Sequence, residues 1–203
     1  LGGVAMAAVG ISFPQLPAPV AIPLALAAAF TAGGLWGGIV GWIKVKRGCH
    51  EVLSSILMNF VAFGLSSFLI LSIFKHPESQ VPETAAIGAG YEIAKISSLG
   101  GTSPLNWSLA LAIAAVLAYV FIFRRTQLGF YQQLAGEAHE VGRRAGINMD
   151  RQVIWAMVIS GGLAGLAAAS PILGFAHKTR EGFTSNAGYI GIAVALLAQN
   201  SGV

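Results

Sequence analysis

Four stretches of this chain, residues 20–43, 52–74, 105–123 and 153–176, are apolar and hold no Asp, Glu, Lys or Arg. Each comes near the roughly 20 residues that a helix needs to cross a bilayer. That feature fixes the expected fold class: an all-α, polytopic bundle of transmembrane helices. A fifth apolar stretch, 187–198, is shorter. Its length suits a re-entrant segment, or a helix completed by sequence beyond it. Residues 1–13 are apolar but lack a basic leader region, so they read as the tail of a helix rather than a signal peptide. The chain opens at Leu1 and stops at Val203 just after an apolar run, which reads as a fragment of a longer protein, with 1–203 as one transmembrane domain.

Composition agrees. Apolar residues make up 55% of the chain, charged residues 10%, and mean hydropathy is +0.72. A soluble domain carries about a quarter charged residues. The 26 glycines show no collagen-like period and suit helices that approach closely in lipid. The single cysteine, Cys49, excludes an internal disulfide. His50, His76, His139 and His177 are scattered without a ligand spacing, so no metal site is expected. A net charge of +4 could suit nucleic acid, but the basic residues sit between apolar runs. Their partner is therefore the lipid bilayer, and no nucleic acid is expected.

The loops set an orientation. Lys44, Lys46 and Arg47 follow the first stretch, and Arg124, Arg125, Arg143, Arg144 and Arg151 lie between the third and fourth. The positive-inside rule places both groups in the cytoplasm. The other side holds Lys75, Lys95, Lys178 and Arg180, balanced by Glu78, Glu83, Glu92 and Glu181. Segment 75–104 becomes an external loop, where Pro77, Pro82, Gly88, Gly90, Gly100 and Gly101 argue against a long helix.

Gly33, Gly37 and Gly41 recur every four residues, and Gly161 and Gly165 repeat the spacing in the fourth stretch. Such spacing makes a small-residue face for helix packing; sliding of those faces during transport is the competing reading. Between the third and fourth stretches, 124–152, Tyr131, Leu134, Ala135, Ala138, Val141 and Ala145 recur at helical spacing. Glu137, Glu140, Arg143 and Arg144 fill the rest, with Glu140 and Arg144 spaced for an i,i+4 pair. Gly146 is placed to end this helix in a left-handed conformation, and Asn148 or Asp150 to cap the next. The segment reads as a short amphipathic helix. It either lies on headgroups or docks a cytoplasmic partner, which the mixture of charges favours.

At this point a family resemblance enters. Arg125-Thr-Gln-Leu-Gly-Phe followed by Ala135-Gly-Glu-Ala-His-Glu-Val-Gly-Arg-Arg-Ala-Gly-Ile-Asn148 resembles the coupling loop of ABC importer permeases. The branch it resembles serves simple sugars, branched-chain amino acids and nucleosides. Ile159-Ser-Gly-Gly-Leu-Ala-Gly-Leu-Ala-Ala168 and Gly188-Tyr-Ile-Gly-Ile-Ala-Val-Ala-Leu-Leu197 are similar to helices of that branch, and Gly48-Cys-His-Glu-Val-Leu-Ser-Ser-Ile-Leu-Met-Asn59 is most like its nucleoside-type members. Two departures stand out. Glu140-Val141-Gly142 replaces a common Glu-Ala-Ala, and Tyr189-Ile190 stands where an acidic residue often precedes Gly191.

The resemblance implies a multi-pass permease of a prokaryotic inner membrane. Its partners would be a second permease subunit, identical or paralogous, an extracytoplasmic solute-binding protein and a cytoplasmic ATP-binding subunit. ATP would be bound by the partner and no cofactor by this chain. By position, ATPase coupling falls on Gly136, Glu137, Glu140, Arg143, Arg144 and Gly146. The chain has no G-x-x-x-x-G-K-[ST], G-x-S-x-G or H-E-x-x-H, so a transport subunit rather than an enzyme is expected. An ion-coupled secondary transporter is the alternative, though such carriers normally need charges inside their spans. For the substrate pathway, polar residues within the spans are the candidates: Ser54, Ser55 and Asn59, with Gln199 and Asn200 after the fifth stretch. Interhelical hydrogen bonding is the competing role for them. A nucleoside is the favoured solute and a simple sugar the next.

Overall fold

The computed structural model describes residues 1–48, 51–74, 83–93, 106–180, 182–183 and 187–198. Its elements are α1 (Gly2–Ser12), α2 (Ala18–Arg47), α3 (Glu51–Phe68), α4 (Ser108–Arg125), α5 (Gln127–Glu137), α6 (His139–Arg144), α7 (Met149–Leu166) and α8 (Ala187–Leu197). The fold is all-α. Two spans change pitch before they end: α3 continues as a π-helix over Leu69–Ile73, and α7 is followed by another over Ser170–Ala176. Four segments are long and apolar enough to cross a membrane: Ala18–Arg47, Val52–Ile73, Ser108–Arg125 and Met149–Ala176.

The centre is a three-helix contact of α1, α2 and α7, and glycine makes it. A side-chain carbon on Gly33 would meet the carbonyl oxygen of Gly161, and one on Gly37 that of Met157. One on Gly165 would meet the carbonyl oxygen of Ala29. Gly41 continues the seam, where a Cβ would lie 3.1 Å from that of Met157. The two backbones therefore touch along nearly four turns, as small-residue faces permit in lipid. Gly2 brings α1 onto the same seam, its would-be Cβ 2.7 Å from the Gly165 Cα. Met6, Ala21, Ala25, Ala29, Ala168, Ala169, Ile172 and Leu173 form the buried core around it.

Outside that centre the helices offer apolar faces to their surroundings. Phe60, Phe63 and Phe68 on α3, and Val116, Leu117 and Phe121 on α4, are exposed, and α8 buries no residue. In water such surfaces would be a liability; against lipid or a neighbouring subunit they are in place.

One end of the bundle is basic. Gly48, at φ 61°, terminates α2 by donating its N–H to the Lys44 carbonyl at 2.9 Å. Lys44, Lys46 and Arg47 occupy that last turn, and Arg124 and Arg125 end α4. Cations at helix C-termini complement the carbonyl end of the helix dipole. The opposite end is closed by residues 83–93. Ile93 donates its N–H to the Leu173 carbonyl at 2.8 Å, Ile87 to His177 at 3.0 Å and Gly88 to Gly10 at 3.3 Å. Tyr91 is fully buried there, its hydroxyl donating to the Phe13 carbonyl at 3.1 Å. Burial pushes that phenol above its ordinary value, which keeps it a donor.

Candidate functional site: the α5–α6 segment and the α4–α7 groove

Between α4 and α7 the chain leaves the bundle at its basic end. Thr126 is extended and ends α4, and α5 begins at once. The helical spacing of apolar residues predicts one amphipathic helix here. The structure differs: at Ala138, φ −140° and ψ 56°, the helix breaks into α5 and the six-residue α6. The break turns the apolar face. Tyr131, Leu134, Ala135 and Ala138 stay half-buried, whereas Val141, 60% exposed, and Ala145 point outward. The ion pair that forms is Glu140 with Arg143, one turn on at i+3, at 4.0 Å, rather than with Arg144. Both partners are highly exposed, so the pair adds little stability.

What anchors α6 is Gly142. A side chain there would strike the Met149 thioether, with the sulfur 3.1 Å away and Leu134 Cδ2 at 3.2 Å. Gly146, at φ 78°, then reverses the chain, and the Asn148 side chain accepts the Arg151 N–H at 3.1 Å to cap α7. Glu137, Glu140, Arg143, Arg144 and Gly136 are thus left exposed on a tethered, jointed protrusion. Behind it lies a crevice of about 570 Å³ whose walls include Lys44, Arg124, Gln132 and Gln152. The Gln132 Nε2 and Gln152 Oε1 atoms are buried there without a partner among the described residues.

The polar residues of α3 are less concentrated. Ser54 is buried, while Ser55 and Asn59 are exposed. Ser55 Oγ donates within its own helix to the Val52 carbonyl at 2.9 Å, and Ser66 does the same to Ala62 at 2.7 Å. Gln199 and Asn200 lie outside the described residues, as do Cys49 and His50.

Two arrangements escaped sequence reasoning. The first joins Glu83 to the end of the α7 span. Glu83 Oε1 accepts from Lys178 Nζ at 2.8 Å and Oε2 from Arg180 Nε at 3.1 Å. Thr84 donates its N–H to the Thr179 carbonyl at 3.0 Å, and the Thr179 N–H returns a bond to Thr84 Oγ1 at 3.1 Å. The Glu83 side chain is only 9% exposed, so these are charge-assisted bonds in a sheltered place. Residues 95 apart in sequence carry no local signal of such a pair. The second is a groove of about 610 Å³ between α4 and the far part of α7, with Asn106, Ser108, Tyr119 and Ser170 among its lining residues. Asn106-x-Ser108 at the head of an apolar run was the available signal, since Asn and Ser favour helix starts.

The architecture and hydropathy define a multi-pass α-helical membrane protein. Residues 1–203 match the family described as the branched-chain amino acid transport system permease component, and the chain belongs to that family. It is 31% identical to the guanosine ABC transporter permease protein NupP of Bacillus subtilis, over all of this chain and 58% of that relative. It is 33% identical to the nucleoside ABC transporter permease protein NupB of Lactococcus lactis, over 94% of this chain and 54% of the relative. The glucose ABC transporter permease protein TsgB13 of Haloferax volcanii is 31% identical over 93% of this chain and 52% of its own length. The chain spans about half the length of these curated relatives. No solved structure matches it.

Proposed function

We propose that this chain is part of the membrane-spanning permease of an ABC importer, a transport component rather than an enzyme. It moves a small polar solute, a nucleoside before a simple sugar. Similarity to permeases named for guanosine, nucleosides and glucose supports that order. The observation that carries the reading is the jointed α5–α6 protrusion, set between two spans at the basic end of a chain from a permease family. In this reading 124–152 is the cytoplasmic coupling loop and 75–104 the external loop, in line with the positive-inside rule.

Gly136 to Gly146 sits in a groove of a separate ATP-binding subunit. Closure of the ATPase pair pushes on α5 and α6. Gly142, pinned under Met149, passes the push to the start of α7, and the α2–α7 glycine seam carries it across the bilayer. A second permease subunit covers the exposed faces of the bundle, and an external binding protein delivers solute. Ser54, Ser55 and Asn59 are candidate contacts on α3, with Gln199 and Asn200 after α8.

The test is a Val141→Cys crosslink in a Cys49→Ser background, using the full-length permease assembled with its ATPase. Crosslinking to the ATPase whose yield changes between nucleotide-free and ATP-bound states is the expected result. No crosslink from Val141 or from its neighbours Glu137 and Arg144, in an assembled complex, would remove α5–α6 from the interface.

A further inference from the structure

Beside the α2–α7 seam runs an apolar groove of about 580 Å³. Gly34 and Gly38 form its floor, one residue round α2 from the seam glycines Gly33 and Gly37. Ile154 and Val158 of α7 make one wall. Leu35, Ile39 and Trp42 stand along the other, between 44% and 72% exposed. Thr31 also lines the groove, but its hydroxyl donates within its own helix to the Ala28 carbonyl at 3.1 Å. At one end Phe30 crosses to α7 and closes the groove; a Cβ on Gly162 would lie 2.6 Å from its ring.

The other end is cationic. The pairs Gly33–Gly161 and Gly37–Met157 show that α2 and α7 run antiparallel. Lys46 follows Trp42 by four residues and Arg151 precedes Ile154 by three, so each continues a face that lines the groove. Gly41 abuts Ile154, where a Cβ would lie 3.2 Å from the Ile154 Cα. From that level Lys46 is five residues on and Arg151 three back, roughly 7 and 5 Å in the same direction. The two cations thus stand at similar depth, one from each helix, at the mouth of the groove. Both are exposed, and neither makes an ion pair among the described residues. Trp42, 54% exposed, lies between them and the groove, at the level tryptophan favours between hydrocarbon and headgroups.

We propose that this groove binds an anionic phospholipid of the leaflet at the basic end. Its phosphodiester sits between Lys46 and Arg151, and one acyl chain lies over Gly34 and Gly38. Length selects the occupant. Trp42 and Phe30 are twelve residues apart on α2, roughly 18 Å, which is close to half of the ~30 Å hydrocarbon core. An acyl chain reaches that far from the headgroups of one leaflet. A transmembrane helix needs a seat along the whole core, and Phe30 interrupts it. Charge selects the headgroup, because basic residues at the membrane surface attract anionic lipid. The acyl chain supplies the dispersion contacts that the side-chain-free floor lacks. The inference needs the membrane-spanning fold alone and is independent of the importer reading.

The experiment places the full-length permease, assembled with its partner subunits, in phosphatidylcholine nanodiscs doped with phosphatidylglycerol that carries a photoactivatable acyl chain. Label should map to peptides holding Leu35, Ile39, Ile154 and Val158. Unlabelled phosphatidylglycerol should compete it away, and further phosphatidylcholine should not. Lys46→Gln/Arg151→Gln should lower the affinity for phosphatidylglycerol about 25-fold, fivefold for each cation near a membrane surface. Gly38→Leu, which fills the floor, should remove label from the groove and leave label elsewhere on the bundle unchanged. Absence of groove label in the wild type would overturn the proposal; that is the result if a helix of a second permease subunit, or of sequence beyond 1–203, fills the groove. Equal competition by phosphatidylcholine, the mark of lipid bound without headgroup recognition, would overturn it too. So would unchanged affinity in the Lys46→Gln/Arg151→Gln variant. Should the variants fail to assemble, the wild-type label and its competition decide alone.

Discussion

The carbonyl oxygen of Gly33 occupies the place that a side chain on Gly161 would need, and the carbonyl of Gly161 does the same to Gly33. This reciprocal contact sets how near α2 and α7 can come. Gly33→Val or Gly161→Val must separate the helices, and overpacking of this kind costs about 1–3 kcal/mol. Thermal unfolding of the purified permease in detergent should shift down for each variant. A substitution at Gly64 or Gly191, where a Cβ meets nothing within 4 Å, should leave it in place.

Glu83 ties the segment 83–93 to the end of the α7 span. Glu83→Gln keeps the shape but faces two cations with a neutral amide. A loss of about 1–3 kcal/mol is expected, the range for hydrogen bonds to charged groups. Lys178→Ala should cost less than Glu83→Gln, since Arg180 still holds the carboxylate. Hydrogen exchange at the amides of Thr84 and Thr179 reads the effect locally: both should exchange faster in Glu83→Gln.

Gly142 has a defined task under Met149. Gly142→Ala restores the alanine common in the related loop motif, yet here it pushes against the Met149 side chain. The prediction is a loosened α6, with faster proteolysis between Ala138 and Gly146. Met149→Ala in the same chain should relieve the Gly142→Ala defect, because it removes the clashing atoms. Absence of that rescue would refute the contact.

Asn148 caps α7 with one side-chain bond to the Arg151 N–H. Asn148→Ala should cost about 1 kcal/mol, and Asn148→Asp almost nothing. Amide exchange at Arg151 separates the two.

Much of this was legible from residue order. Charge-free apolar runs mark the spans, since lipid excludes charge, and the four-residue glycine spacing lies on faces that meet. Gly146 and Asn148 declare a helix end and a helix start by their local chemistry. The break at Ala138 was not legible: no proline or glycine occupies that position, and the half-buried face from Tyr131 to Ala138 continues the helical period. The π-helical ends of α3 and α7 leave no periodic trace, because a single widened turn is too short to alter a hydrophobic pattern. Asn106 was hidden for another reason. It sits at the edge of an apolar run, where a lone amide reads as a cap, and only the fold puts Gly174 and Ser170 beside it.

The most direct measurement is ATP-dependent uptake of radiolabelled guanosine into proteoliposomes holding the full-length permease, its partner permease, the ATPase and the binding protein. Wild type should accumulate solute on addition of ATP and not with an imposed proton or sodium gradient. Glu140→Ala/Arg144→Ala should assemble, hydrolyse ATP and transport several-fold more slowly. Uptake driven by an ion gradient without ATP, or full transport by the double variant, would contradict the account.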